Sequence, residues 1–116
     1  MVGMTGPQTG EIWIAQLDPT VGHEQSGRRP VVVVSSHDFH ALPISMVIVV
    51  PLTGHDRGIV TQPRITSPAS GLSRASFARP EDLRSIDVAR LQRRLGRVSA
   101  EELAEIRKVL RYFVDL

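Results

Sequence analysis

The sequence predicts a mainly β domain that ends in one α-helix. Two apolar runs, Val31 to Val34 and Ser45 to Thr53, are rich in β-branched residues, which favour strands. Near the end of the chain the apolar residues Leu103, Ile106 and Leu110 recur at helical spacing instead. The strand signals therefore fill the body of the chain, and the helical signal is confined to its end.

A further strand is predicted just before the first of these runs. Ile12 and Trp13 favour a strand, and the segment stops at the turn signal formed by Asp18 and Pro19. The run from Val31 to Val34 has no polar residue, which is typical of a strand buried on both faces. We expect the chain to run out along the first strand and back along the second.

The loop that joins these two strands concentrates polar side chains in seven positions: His23, Glu24, Gln25, Arg28 and Arg29. Glycines at 22 and 27 supply bends. This set contains the acid, base and cationic groups that a catalytic site needs, so the loop is the first candidate for the functional part. The alternative is a solvated hairpin, because surface loops are usually polar.

The second apolar run contains a proline close to its end. Pro51 cannot donate a backbone hydrogen bond, so it predicts a bulge or a strand end near Thr53. The segment from Gly54 to Ser73 is rich in Gly, Pro, Ser and Thr and predicts a long mobile loop with a short strand near Gln62 to Thr66. Long loops in small domains are usually functional or disordered.

The remaining elements follow in order. A strand is expected within Gly71 to Pro80, with Ala75 and Phe77 facing inward. Ser99 and Glu102 then have the spacing of a capping box, in which each residue satisfies a backbone N–H of the other at a helix start. The helix that follows is expected to serve packing rather than catalysis.

Composition restricts the classes of function. The chain has no cysteine, which excludes a disulfide framework, a thiolate metal site and a cysteine nucleophile. No apolar stretch approaches the roughly 20 residues of a membrane span, and no signal peptide is recognisable, so we expect a cytoplasmic bacterial protein. The length of 116 residues predicts one domain, at 10–116, after a flexible tail at 1–9.

Arginine dominates the basic residues, with thirteen arginines against one lysine, Lys108, at a net charge of +2. Guanidinium groups bind phosphate in a bidentate manner and stack on bases, which favours a nucleic-acid partner. The alternative is the codon preference of a GC-rich genome. His37 and His40 have the spacing of two metal ligands on one helical face, but no third ligand is nearby, so we expect exposed linker histidines and no metal site.

Six short strings of the sequence together resemble one known family. They are GEIW, LDPT, GHEQ, GRRPVVVV, VVPLT and RSID. From about Gly10 to the C-terminal helix, the chain is similar to the MazF/PemK/Kid family of toxin endoribonucleases. The His-Glu-Gln triplet is most similar to the PemK/Kid branch, since many MazF-like chains lack it.

The resemblance implies a fold, a reaction and a set of partners. The fold would be an SH3-like barrel of the MazF/Kid/CcdB type with a C-terminal helix, assembled as a homodimer. The reaction would be sequence-specific cleavage of single-stranded RNA without a metal or other cofactor, leaving 2′,3′-cyclic phosphate and 5′-hydroxyl ends and inhibiting growth. An antitoxin of the MazE/PemI/Kis type would neutralise the protein, and DNA would be bound only indirectly, through that antitoxin.

Cleavage without a metal needs a base at the ribose 2′-hydroxyl, an acid at the leaving 5′-oxygen and cations on the phosphate. From this chemistry and the resemblance together, we assign these roles to five residues: His23, Glu81, Arg29, Arg79 and Thr53. One of His23 and Glu81 would be the base and the other the acid, and the assignment could be reversed. The other three would bind the phosphate. The two arginines are assigned to binding because a guanidinium holds its proton tightly. Glu81 stands where the family usually has aspartate, so Asp82 is a competing base, and an acid role for Arg79 stays open.

Six further residues are expected to contact RNA: Glu24, Gln25, Arg28, His55, Arg57 and Arg64. Three of them share the loop with His23, where Glu24 is also a candidate base, and three lie in the long polar segment. We expect arginine planes and backbone groups to read splayed bases, because duplex RNA hides its base edges.

Two other classes of function are alternatives. One is a non-enzymatic inhibitor on the same fold, like the CcdB gyrase poisons, although that family lacks the GHEQ loop and ends in Trp-Gly-Ile, whereas this chain ends in Val114, Asp115 and Leu116. The other is an inactive relative that binds its antitoxin and represses its own operon. Cleavage of a defined RNA in the presence of EDTA separates the three.

Overall fold

The computed structural model describes residues 6–19, 21–25 and 27–116, and seven strands and two helices occur within them. The strands are β1 (Glu11–Gln16), β2 (Arg28–Val33), β3 (Met46–Thr53), β4 (Arg64–Ile65), β5 (Ser76–Ala78), β6 (Arg84–Asp87) and β7 (Leu91–Arg97). The helices are α1 (His37–His40) and α2 (Ala100–Val114), and short 3-10 turns cover Pro68–Ser70, Pro80–Asp82 and Val88–Arg90. The predicted mainly β fold with a C-terminal helix is confirmed.

The strands pair antiparallel in the order β4-β5-β3-β2-β1-β7, and β6 also pairs with β3. Along one edge of β3 the paired strand changes: the residues from Met46 to Val49 pair with β6, and Leu52 and Thr53 pair with β5. Pro51 lies at this change, and its carbonyl accepts the backbone N–H of Arg79 at 2.9 Å. The backbone N–H and C=O of one strand residue point to the same edge of the strand. An N–H at position 51 would therefore point into the gap between β6 and β5, where the proline breaks no strand pairing. β3 therefore continues through the proline to Thr53, and this gap positions Arg79.

Apolar clusters cover both faces of the central strands. Ile12, Val32, Val50 and Leu52 pack on one face together with Ile106 of α2. The other face carries Ala15, Leu17, Val31, Val33, Val47, Val49 and Ile86. Successive residues of β2 alternate between these clusters, and its three valines are fully buried. The prediction of a strand buried on both faces is confirmed.

The side chains of β5 alternate in the opposite sense to the prediction. Ser76 and Ala78 are buried, whereas Ala75 and Phe77 are only half-buried, so the expectation of an inward Ala75 and Phe77 is wrong. Sequence patterns favour the larger apolar residue inside. Here the register decides instead, because Ala78 pairs with the core residue Leu52, and Phe77 falls on the opposite face.

Helix α2 begins at the predicted capping box. The Ser99 hydroxyl accepts the Glu102 N–H at 3.0 Å, and Glu102 Oε1 accepts the Ser99 N–H at 2.9 Å. Glu102 Oε2 also accepts the backbone N–H groups of Thr66 and Ser67, at 2.8 and 3.1 Å. Burial raises the pKa of the Glu102 carboxyl, but these hydrogen bonds outweigh it and leave the pKa below its usual value. One carboxylate thus holds the helix start to the segment after β4.

The predicted flexible tail at 1–9 falls partly outside the described residues, which begin at Gly6. Within the described part, the Thr9 hydroxyl donates to the Ser35 carbonyl at 2.6 Å, and Gly10 N–H donates to the Val33 carbonyl at 2.8 Å.

Of the helices described, none is long and apolar enough to cross a membrane.

Candidate active site

Arg79 lies just after β5, and its side chain is only 8% exposed. Pro80 starts the short 3-10 turn that follows, because a proline ring is already set for the first position of such a turn. The turn closes with the Asp82 N–H on the Arg79 carbonyl at 2.9 Å. Two carboxylates, those of Glu81 and Asp82, are thereby brought beside one guanidinium.

Asp82 is the closer of the two carboxylates. Arg79 Nε lies 2.8 Å from Asp82 Oδ2 and 3.8 Å from Glu81 Oε2. The Nε–H is not aligned with either oxygen, so the contact with Asp82 is an ion pair without a well-formed hydrogen bond. The Asp82 side chain is 11% exposed and the Glu81 side chain 39%. Glu81 is therefore the carboxylate that a substrate reaches more easily.

The same ion pair holds the loop between β1 and β2. Arg79 Nη2 donates to the His23 carbonyl at 3.3 Å, and Asp82 Oδ2 accepts the Gln25 N–H at 3.3 Å. Loop and turn, which are 56 residues apart along the chain at His23 and Arg79, thus meet at two points. The structure brings together the two segments that the sequence analysis assigned to one site.

Glu81 is oriented by a residue that sequence reasoning missed. Gln62 donates from Nε2 to Glu81 Oε2 at 2.6 Å and is 5% exposed. Its Oε1 atom is buried, and no hydrogen-bond partner for it occurs in the described residues. A glutamine in a polar segment gives no sequence signal. Asp82 was considered only as a competing base, although an Arg-Pro-x-Asp turn is itself a signal for an i,i+3 ion pair.

Arg29 and Thr53 lie on the neighbouring strands β2 and β3. The pairing of these two strands ends at Val31 and Pro51. Arg29 and Thr53 each lie two residues beyond this pair, on the same face of their strands as Val31 and Pro51. Thr53 is 8% exposed, and its hydroxyl oxygen accepts the His55 N–H at 3.2 Å. The hydroxyl thus ends the strand and still has its own proton to donate.

One predicted RNA contact, Arg64, lies in a row of paired residues that crosses three strands. Thr53 pairs with Phe77, and Phe77 pairs with Arg64, so the row continues from β3 across β5 to β4. His55 and Arg57 are exposed in the loop after β3. In the part of the chain that the structure describes, neither side chain makes a hydrogen bond or an ion pair with Arg79, Glu81 or Asp82.

The loop residues do not all point to one place. The His23 side chain is exposed, and none of the described residues makes a hydrogen bond with it. Glu24 Oε1 accepts the Val21 N–H at 2.7 Å and so closes a turn of the loop. Arg28 Nε donates to Gln92 Oε1 at 2.6 Å, on β7. Because β7 lies on the far side of β1 from β2, the Arg28 side chain reaches away from β3 and Arg79.

The two histidines of α1 have different surroundings, and the expectation of exposed linker histidines is wrong for His40, which is half-buried. His40 Nε2 lies 2.5 Å from the hydroxyl of buried Ser35, whereas His37 is exposed. Burial, and then the nearby His37, lower the pKa of His40. The described ranges contain no group of three or more His, Asp or Glu side chains placed to bind a metal ion.

Comparison with known proteins gives a consistent family. The family model of the PemK-like, MazF-like toxins of type II toxin-antitoxin systems matches residues 8–114. The endoribonuclease MazF9 of Mycobacterium tuberculosis (strain ATCC 25618 / H37Rv) is 38% identical over an alignment of 112 residues, which covers 92% of this chain and 95% of that protein. The endoribonuclease PemK of Escherichia coli is 33% identical over an alignment of 100 residues, which covers 85% of this chain and 75% of PemK.

The fold gives the same answer. The crystal structure of MazF (Form-I) from Deinococcus radiodurans matches with a TM-score of 0.84 at 24% identity, over 96% of this chain and 98% of that chain. The predicted MazF-type fold is therefore confirmed. Because the family model spans nearly the whole sequence and two curated relatives exceed 30% identity, the chain belongs to the PemK-like, MazF-like family of type II toxins.

Proposed function

We propose that this protein is a toxin that cleaves single-stranded RNA at specific sequences, without a metal ion, and so inhibits translation and growth. The observation that carries the proposal is the double contact of the Arg79–Asp82 pair with the backbone of His23 and Gln25. It gathers an imidazole-bearing loop, a guanidinium and an accessible carboxylate in one region. The endoribonuclease names of the two curated relatives support the same activity.

The proposed reaction is an internal attack by the ribose on its own phosphate. A bond forms between the 2′-oxygen and phosphorus, and the bond from phosphorus to the 5′-oxygen breaks. Glu81 takes the 2′-hydroxyl proton, since its carboxylate is accessible and is oriented by Gln62. His23 gives a proton to the leaving 5′-oxygen, because histidine is the side chain that normally titrates near neutrality. The products are a 2′,3′-cyclic phosphate and a 5′-hydroxyl.

Arg79, Arg29 and Thr53 would bind the phosphate. A guanidinium carries five N–H donors. Arg79 uses Nε toward Asp82 and one Nη2 donor for the His23 carbonyl, so Nη1 stays available for a phosphate oxygen. Such fixed donors stabilise the charge that develops on the phosphate in the transition state. Arg29 and Thr53 would contribute from the adjacent strands.

The row of paired residues Thr53, Phe77 and Arg64 gives the RNA a path across β3, β5 and β4. Arg64 continues the row beyond Phe77, so we propose that it contacts a neighbouring nucleotide. His55, Arg57, Glu24 and Gln25 would contact RNA from the two loops. Arg28 would contact a more distant phosphate, because its side chain extends toward β7.

We further propose a homodimer that is neutralised by a cognate antitoxin in the cytoplasm and meets DNA only through that antitoxin. The family description, toxins of type II toxin-antitoxin systems, supports an antitoxin partner. A chain of 116 residues has a large surface relative to its core, which makes dimerisation favourable.

The test is incubation of the purified protein with a long defined RNA in EDTA, followed by mapping of the new ends. We expect cuts at a short recurring sequence with 5′-hydroxyl ends. Arg79→Ala should reduce the rate by about 10²–10³-fold, whereas Arg107→Ala, on the exposed surface of α2, should cut normally. Cleavage that needs a divalent cation, 5′-phosphate ends or full activity of Arg79→Ala would contradict the proposal. A DNA supercoiling assay tests the gyrase-inhibitor alternative.

A further inference from the structure

A cleft of about 210 Å³ lies where β2 begins and β3 ends. Its lining includes two arginines, Arg29 and Arg74, and the half-buried apolar residues Pro30 and Leu72. The cleft shares Arg29 with the proposed catalytic set. Its residues Leu52 and Ser76 alternate with Thr53 and Phe77 and so lie on the other face of the sheet. Pockets for drug-sized ligands measure about 300–1,000 Å³, so this space is suited to one planar ring system.

Arg74 is one of the two arginines that line this cleft. In the described residues its guanidinium makes no ion pair and no hydrogen bond, and the residue is exposed. The guanidinium nevertheless packs closely against Gly54. A Cβ atom on Gly54 would lie 2.5 Å from Arg74 Nη2 and 2.8 Å from its Cζ, so the glycine provides the space for the guanidinium.

The lining of the cleft favours a nucleobase over a phosphate. Leu72 and Pro30, both half-buried, are apolar surfaces that suit the face of a base and give nothing to a phosphate oxygen. The polar side chains are two guanidinium groups, which only donate, and two serines, of which Ser76 is buried and already donates to the Arg74 carbonyl. Arginine donates in a bidentate manner to O6 and N7 of guanine, and adenine offers no such pair of acceptors.

We propose that the cleft binds a guanine base of the RNA, with the Arg74 guanidinium donating to O6 and N7, so that Arg74 determines sequence specificity. The proposal rests on the RNA-cleaving function proposed above. It assigns a specificity role to a residue outside the proposed catalytic set.

Binding of RNA that cannot be cleaved tests the proposal separately from catalysis. The probes are short 2′-O-methyl oligouridylates with one central guanine, adenine or 7-deazaguanine, which lacks the N7 acceptor. We expect the wild-type protein to prefer guanine over the other two by roughly tenfold or more. Arg74→Ala and Arg74→Lys should both lose this preference, since lysine keeps the charge but not the planar fork. Arg107→Ala is the matched control and should keep it.

Gly54→Ala provides a second variant, which retains the arginine at position 74 but changes the space around it. Its new methyl group must displace the guanidinium, so it should also lose the guanine preference, with an unchanged melting temperature. Equal binding of guanine and 7-deazaguanine by the wild type would overturn the proposal. So would uniform weakening of all three probes in Arg74→Ala together with a smaller salt dependence, because that result indicates a phosphate contact.

End mapping on the long RNA then separates the two proposals. If the wild type does not cleave RNA but retains the Arg74-dependent guanine preference, the catalytic function fails and the base-binding cleft stands. If the wild type cleaves RNA and Arg74→Ala cuts at the same sequences, the cleft proposal fails and the catalytic one stands.

Discussion

The carboxylate of Asp82 lies 2.8 Å from Arg79 Nε and also accepts the backbone N–H of Gln25. One side chain thus neutralises the buried guanidinium and fixes the loop that carries His23. Glu81, the neighbouring carboxylate, is left with a separate hydrogen bond from Gln62. The two acidic residues therefore have different surroundings, which gives each a distinct expected role.

Asp82→Asn should weaken the site without removing an acid or base. The substitution leaves the Arg79 guanidinium buried without its counter-ion, which should lower the free energy of unfolding by about 1–3 kcal/mol. The amide of Gln25 should exchange with solvent faster, because its acceptor becomes a weaker one. Hydrogen exchange and thermal melting measure both effects. RNA cleavage should slow, while the shape of its pH profile should stay unchanged. If the fall of the rate at low pH disappeared instead, Asp82 would be the base.

Glu81→Gln should remove the proposed base and leave the fold intact. Glutamine keeps an oxygen that accepts from Gln62, and the Glu81 side chain is 39% exposed, so the melting temperature should hardly change. The cleavage rate should fall by about 10²–10⁴-fold, with loss of the acidic limb of the pH profile. Gln62→Ala is a useful partner variant, because it should reduce the rate less and keep the limb. A Glu81→Gln protein with normal activity is incompatible with the assignment.

His23→Ala separates catalysis from structure most cleanly. The His23 side chain is exposed, and the structural contact to Arg79 uses its backbone carbonyl, which alanine retains. We expect unchanged stability, a rate reduced by about 10²–10⁴-fold and loss of the basic limb of the pH profile. Single-turnover cleavage at several pH values measures this. If the variant cleaves RNA at the wild-type rate with both limbs present, His23 is not the acid.

Glu102 predicts a dependence of stability on pH. Its pKa in the folded protein is below the usual value, so the ionised form favours folding. The stabilisation is present above the pKa of the unfolded chain, about 4.3, and is lost as pH falls through the lower folded pKa. Glu102→Gln should cost about 1–2 kcal/mol at pH 7, and chemical denaturation should show the difference from wild type shrinking by pH 3. A difference that is independent of pH would contradict a role for the charge.

The sequence alone determined the features that depend on local pattern. The continuous β-branched run predicted a doubly buried β2, and the spacing of Ser99 and Glu102 predicted the start of α2, because backbone geometry relates each pattern to a structure within a few residues. The loop with His23 was also recognised as a candidate site from its residues, and the quoted strings were enough to identify the family.

Only the tertiary structure decided which groups meet. The pairing of Arg79 with Asp82, the hydrogen bond from Gln62 to Glu81 and the direction of Arg28 toward β7 depend on which segments become neighbours. The face of Phe77 was predicted wrongly for the same reason, since the register with β3 fixes it. These contacts join segments far apart in the chain, and the free energy that selects them comes from burial and strand pairing across the whole sheet, which no local window of sequence contains.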